Sequence, residues 1–408
     1  MNHKYIVVIP MLFLATISSA ACQRNGIEIP TVPANPSPIE IEQQETPTQI
    51  SNQPEEQPTE TPVPTFTPHS TRKPDVPASP TPDLRVRLIS AEDFADNRNP
   101  LTGELVAEPE ILMRRPIAVK ISNSPAKYTR PQSGLSQADL VFEHVTEVNI
   151  TRFTAIFYDE TPLKIGPIRS ARLIDLELPA MYDAALAYSG SSINVSRKLF
   201  SSDFASRILR PHEPGYYRTG EDKPYEHTLY ARPEEFWPVL EKKEENRKPQ
   251  FSTNLTFTSE SPSGGQPVTA VNVEYRNFSK IDWVYEPDSG RFLRWADGEK
   301  HIDANTDEQI SAANVIIILA PHSIDASSCE QQSGGTCLAY SVEIQLWGSG
   351  PAFLLRDGFQ YGVTWRRANR SDMLTFIDAD GLPVPLQIGN TWFQVISINH
   401  PESYSVAN

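Results

Sequence analysis

Cysteine is nearly missing from this chain. Three in 408 residues exclude a disulfide-dense scaffold and a thiolate-rich metal protein, since both need clustered sulfur. Basic charge is short as well. Lys and Arg number 36 against 51 Asp and Glu, a net charge of −15, and without a basic field general nucleic-acid binding is excluded. Hydrophobic residues reach only 39% while prolines number 37, which points to a folded part diluted by a segment that cannot build a core. Gly-x-Ser-x-Gly and His-Glu-x-x-His do not occur, so two common hydrolase signatures are lacking. No cofactor or metal is expected.

What is present begins with an export signal. Lys4 supplies a positive end, Tyr5–Ile17 a short apolar run, and Ser18–Ala21 a small-residue cleavage region. The run is too short for a comfortable membrane span. Cys22 follows directly and resembles a lipobox cysteine, with Ser19 where Leu is usual. Residues 1–22 are therefore expected to be a lipoprotein signal ending at a lipidated Cys22. That places the mature protein outside the cytoplasm, anchored to the outer face of the cytoplasmic membrane. Residues 23–83 are rich in Pro, Thr, Glu, Gln and Ser with no usable period, and read as a disordered linker. As a flexible coil it spans on the order of 40–50 Å.

The length that remains has room for two domains. In the first, 84–248, Leu84–Ile89 reads as a short edge strand and Arg115–Ile121 as a central strand. Asp139–Glu147 and Ile150–Tyr158 read as a hairpin joined at Val148-Asn149. That pairing places Glu143, Val145 and Glu147 on one face with Ile150, Arg152 and Thr154, and Glu147 near Arg152. The loop Gly166-Pro167-Ile168-Arg169-Ser170-Ala171-Arg172 follows. Ser170 is the expected N-cap of a helix over 171–181, so Arg169 and Arg172 at a helix start form the sharpest anion-binding candidate. The surrounding Glu110–Asp175 stretch is locally basic, with nine Lys/Arg against seven carboxylates. Ala184–Ser189 reads as a buried strand, the segment from there to Gly220 as polar loop, and Arg232–Asn246 as helix. Arg130, Glu143, Glu147, Arg152, Arg169, Ser170, Arg172 and His227 are the candidate binding residues.

The N-P-L-T-G loop at Asn99–Gly103, the R-P-Q-S-G-L-S-Q-A-D run from Arg130, the I-T-R strand start at Ile150, G-P-I-R-S-A-R and H-T-L-Y at His227 resemble the YerB-like bacterial lipoprotein family. The similarity runs from about residue 85 to the C-terminus. It implies an α+β fold of layered antiparallel and mixed sheets, with a few helices in the N-terminal half and a mostly β C-terminal half. It implies no established reaction. Val148-Asn149 stands where the family carries Gly-Gly, and Thr228 where it carries Asn.

In the second domain, 249–408, helix signals nearly vanish. Phe251–Phe257, Val268–Tyr275, Asn314–Leu319, Val342–Trp347 and Trp392–Ile398 read as strands, with turns at Asp288-Ser289-Gly290, Asp357-Gly358 and Asp380-Gly381. Cys329 and Cys337 are expected to pair, because export permits oxidation and Cys22 is otherwise used. His301 and Asp303 lack the ligand count of a metal site. Three functions fit: binding of an anionic envelope polymer or an envelope protein, acid–base catalysis using Glu143 or Glu147 with His227 or Arg152, or a structural subunit without a ligand. Binding ranks first.

Overall fold

Three apolar runs pair as expected. In the computed structural model, which describes residues 88–407 apart from 95 and 277, β1 (Ile117–Ser122), β2 (Leu140–Val145) and β3 (Thr151–Phe157) lie side by side with β3 central and antiparallel to both. Two further strands, β4 (Ala185–Ala187) and β5 (Ile208–Leu209), extend the sheet in parallel beyond β1. On the other side, Thr391–Ser397 joins β2 in parallel and Asn314–Ala320 joins that strand in parallel. Gly348–Arg356, Phe359–Arg367 and Thr375–Ile377 complete the row, and Gln266–Pro267 adds an eleventh strand. Segments 84–248 and 249–408 thus share one sheet, and all described residues fall in a single unit. The expected signal peptide, Cys22, the linker and residues 84–87 lie outside the described residues.

This sheet is buried on both faces. Asn314–Ala320 (N-V-I-I-I-L-A) is buried at every position, as near-continuous apolar strands must be when neither face meets water. One core gathers Ala118, Phe142, Ile156 and Phe393. The opposite core gathers Val119, Val141, Phe153 and Trp392, and a second sheet closes over it. That second sheet, built from Ala270–Tyr275, Ser279–Glu286, Arg291–Ala296 and shorter pieces, alternates buried and half-exposed residues, because only one of its faces is covered. The layered α+β architecture with a β-rich C-terminal half is as expected.

Helices are few and short: α1 (Ala126–Thr129), α2 (Leu178–Met181), α3 (Ile193–Phe200) and α4 (Phe236–Lys242). α3 occupies part of the segment expected as loop, with Val195 and Leu199 seated inward. The helix expected over 171–181 does not form. Arg172 is extended (φ −133°, ψ 178°), Leu173–Leu176 is a 3-10 turn, and α2 starts only at Leu178. The start is displaced: the Asp175 carboxylate accepts the Arg172 backbone N–H at 2.6 Å, which makes Arg172 the N-cap of the Leu173–Leu176 turn, while the Ser170 carbonyl accepts Arg152. Ser170 is therefore no N-cap, and no helix dipole faces Arg169. Phe251–Phe257 also shortens, to Phe257–Thr258.

The β2–β3 hairpin holds the other correction. Val145 pairs with Thr151 and His144 with Arg152, one residue away from the expected register. The connection is a three-residue 3-10 turn, Glu147–Asn149, with Val148 and Asn149 left-handed at φ 55° and 61°. A one-residue slip exchanges faces. Glu143 therefore shares a face with Thr151 and Phe153, while Arg152 and Thr154 share the other with His144.

Candidate functional site

Six strands (Asn314–Ala320, Thr391–Ser397, β2, β1, β4 and β5) run the same way. Their carboxyl ends form one edge of the sheet, and this is where ligands bind in open parallel sheets. The Gly166–Arg172 loop is laid across that edge. The Ser122 backbone N–H donates to the Pro167 carbonyl at 2.9 Å, the Arg169 N–H to the Lys120 carbonyl at 2.9 Å, and the Ser189 N–H to the Arg169 carbonyl at 3.0 Å, so the loop bridges β1 and β4. Gly166 is required here: its φ is 154°, and an added Cβ would meet the Tyr230 ring at 2.6 Å.

The loop delivers its arginines to different tasks. Arg172 grips Glu147 at two points, Nε to Oε2 at 2.6 Å and Nη2 to Oε1. Arg152 reaches the same carboxylate at 3.3 Å and the Ser170 carbonyl at 2.6 Å. Burial by itself would raise the Glu147 carboxyl, but the bond and charge of Arg172, then the charge of Arg152, hold it down at about 2. Burial, then the Arg172 charge, lowers Arg152 to about 9. Beneath them Lys120 is enclosed by His144 (2.6 Å), Thr154 (2.9 Å) and Asp175 (2.9 Å). Burial brings that ammonium down to about 8 against the opposing pull of Asp175, and burial followed by the Lys120 charge keeps His144 neutral.

A long hairpin, His322–Ser333 with Thr336–Ile344, reaches this network and is closed by the Cys329–Cys337 disulfide. Its Glu330 is buried and meets Arg172 at 3.3 Å and Ser192 at 3.0 Å. Arg172 is thereby held from both sides.

Arg169 differs. It is half-buried, and no side chain among the described residues hydrogen-bonds or ion-pairs with it. Burial lowers its pKa, and Glu226 is the largest opposing charge. His227 is buried with its ring stacked on Tyr128 at 5.6 Å. Burial and then the Arg169 charge lower its pKa, and its Nδ1 has no partner among the described residues. A half-buried guanidinium that no described side chain pairs can accept an anion without breaking an existing bond.

Glu143 and Arg130 belong to the opposite face. Glu143 pairs with Arg294 at 2.7 Å, both fully buried, and accepts Thr151 and Asn123. Arg294 is ringed by Trp392, Phe153 and Trp283 at 5.0, 5.6 and 5.8 Å. Arg130 pairs with Asp297 at 2.6 Å. The acid–base reading needed Glu143 or Glu147 beside His227. Instead arginines hold both carboxylates, and neither is a partner of His227. His301 contacts Gln132 and Arg294, whereas Asp303 accepts backbone N–H groups of Gly134, Ser136 and Asn305. No group of three His, Cys, Asp or Glu among the described residues could hold a metal.

Sequence reasoning reached Glu147, Arg152, Arg169, Arg172 and His227 but missed Lys120, His144, Asp175 and Glu330. Lys120 carried a signal, a lone charge inside an apolar strand. Glu330 carried none.

Two domain descriptions match the chain: the N-terminal domain of a protein of unknown function (DUF3048) over residues 101–247, and its C-terminal domain over 271–393. The putative lipoprotein YerB of Bacillus subtilis is 29% identical over 308 residues, 73% of this chain and 85% of that protein. The chain belongs to the YerB-like family. The crystal structure of the YerB protein from Bacillus subtilis aligns with a TM-score of 0.64 at 26% identity, covering 76% of this chain and 99% of that one. Within the YerB-like frame, G-P-I-R-S-A-R is the loop that bridges β1 and β4 at the carboxyl edge.

Proposed function

We propose that this protein is exported, anchored by a lipidated Cys22 to the outer face of the cytoplasmic membrane, and binds an anionic component of the cell envelope at Arg169. The export-like residues 1–22 and the lipoprotein name of the relative support the anchor. The binding reading rests on one observation, the half-buried Arg169 guanidinium that no side chain among the described residues pairs, whose charge also acts on His227. Arg152, Arg172 and Ser170 frame that position, and Glu147 orients the two framing arginines. The linker carries the site some distance from the membrane.

The test uses the full chain, with polyphosphate as a defined polyanion and an anionic wall extract beside it. Arg169→Ala weakens binding to both by about tenfold or more, one lost charge-assisted bond, while the protein melts at an unchanged temperature. Equal binding by wild type and variant removes the site. Capture of a single envelope protein that ignores both polyanions moves the reading to a protein partner. Labelling with a radioactive fatty acid that survives Cys22→Ser removes the anchor.

A further inference from the structure

The same carboxyl edge carries a second opening. β2, Thr391–Ser397 and Asn314–Ala320 run parallel, and beyond their ends lies a cleft of about 240 Å³ lined by Val145, Thr146, Ser397, His322 and Val342. That is room for about eight waters and falls below the ~300 Å³ at which ordinary small-molecule pockets begin. Such a cleft takes one unit of a larger ligand.

Of the residues lining this cleft, His322 is the one that the described residues leave unsatisfied. Its Nδ1 lies 2.8 Å from the Ala320 carbonyl oxygen. A carbonyl only accepts, so Nδ1 carries the ring proton. Burial lowers the imidazole pKa and keeps it neutral. Nε2 is left as a buried lone pair with no partner among the described residues. It requires a donor.

The rest of the lining narrows what that donor belongs to. Its two charged side chains, Arg276 and Glu274, are of opposite sign, the first in contact with His400 and the second 3.9 Å from Lys280. What remains is neutral hydroxyl and amide, Thr146, Asn149, Ser323, Ser397 and Ser403, alternating with apolar Val145, Ile324, Val342 and Ile396. A pyranose presents the complementary surface, hydroxyls at its rim and C–H groups on its faces. A peptide is the competing occupant, because the two-stranded sheet of His322–Ser333 and Thr336–Ile344 has unpaired outer edges that strand addition could use, and the experiment sets tetra-alanine against the sugars for that reason. A metal ion needs more ligands than converge here.

We infer that this cleft binds one residue of a neutral glycan, with a sugar O–H or N–H donating to His322 Nε2. The site is separate from Arg169 and does not depend on it. Chain direction places both along one edge, with the Glu147–Asn149 turn between them.

The experiment titrates the full chain with an N-acetylglucosamine tetrasaccharide and a glucose tetrasaccharide, with tetra-alanine as the peptide comparison. It follows the ring nitrogens of His322 by NMR. At least one sugar saturates and moves the Nε2 resonance. His322→Phe weakens it about tenfold, the value of one hydrogen bond. Val342→Trp, which fills the cleft, abolishes binding, and Arg169→Ala leaves it intact. No saturable sugar binding overturns the inference, as does sugar binding that leaves Nε2 unmoved, or an Nε2 shift given by tetra-alanine alone. If His322→Phe does not fold, the wild-type resonance and Val342→Trp decide.

Discussion

Arg172 and Glu147, 25 residues apart, meet in a two-point ion pair that joins the G-P-I-R-S-A-R loop to the β2–β3 turn. Arg169, three positions earlier, makes no such contact. One loop thus holds a structural arginine and an uncommitted one, and the two should separate cleanly in experiment.

Arg172→Ala leaves Glu147 with only the longer contact from Arg152 and strands Glu330 as well. Both pairs are largely buried, so the loss should be about 3 kcal/mol or more, read as a lowered urea midpoint at constant slope. Arg169→Ala removes a half-buried charge that no side chain among the described residues pairs. Its stability should match wild type within about 0.5 kcal/mol or exceed it. Equal losses in the two variants would make Arg169 structural too.

The Glu147 pairing sets an acid response. The carboxyl lies at about 2 in the fold against an ordinary 4.5. A depressed carboxylate contributes stability that is complete above the unfolded value and is lost as pH falls through the folded one. That shift corresponds to about 3 kcal/mol. The stability difference between wild type and Glu147→Gln should therefore hold steady above about pH 5 and shrink toward pH 2. A difference independent of pH over that range would mean that Glu147 is not held down. His144 and His301, kept neutral by burial well below 6.5, act earlier. The unfolded chain takes up their protons first, so wild-type stability should begin to decline below about pH 6.5.

Val148 is strained where it sits. A β-branched residue at φ 55° is disfavoured, and 66% of Val148 is exposed, so little packing offsets the cost. Val148→Gly should stabilise the protein by about 1 kcal/mol, seen as a raised melting temperature with the β2–β3 register unchanged. A lowered melting temperature would show that the exposed valine contributes contacts worth more than the strain.

Much of this architecture was legible because burial leaves a mark on composition. Asn314–Ala320 and Thr391–Ser397 are apolar runs that belong in a sheet covered on both faces, and the paired runs flanking Val148-Asn149 announced a hairpin. The closeness of Glu147 to Arg152 followed from that hairpin alone. The turn length was not legible, because Val148 and Asn149 are uncommon left-handed residues, and the missing residue of register moved Glu143 to the face of Arg294. The helix expected after Ser170 starts later because Asp175, three residues on, caps the Arg172 N–H and so moves the N-cap from Ser170 to Arg172.

The sequence by itself determined the family, the export-like N-terminus, the strand-rich second half and the loop that carries Arg169 and Arg172, since each is written in residues adjacent along the chain. Tertiary structure alone decided which arginine is free. Arg172 is engaged because β2, the turn after it and a hairpin 158 residues further on bring Glu147 and Glu330 to it. Arg169 is left open because no side chain among the described residues bonds to its guanidinium, although the Glu226 charge acts on it. Partnership in a buried network depends on which distant carboxylates the topology places within bonding distance, and local pattern does not encode that distance.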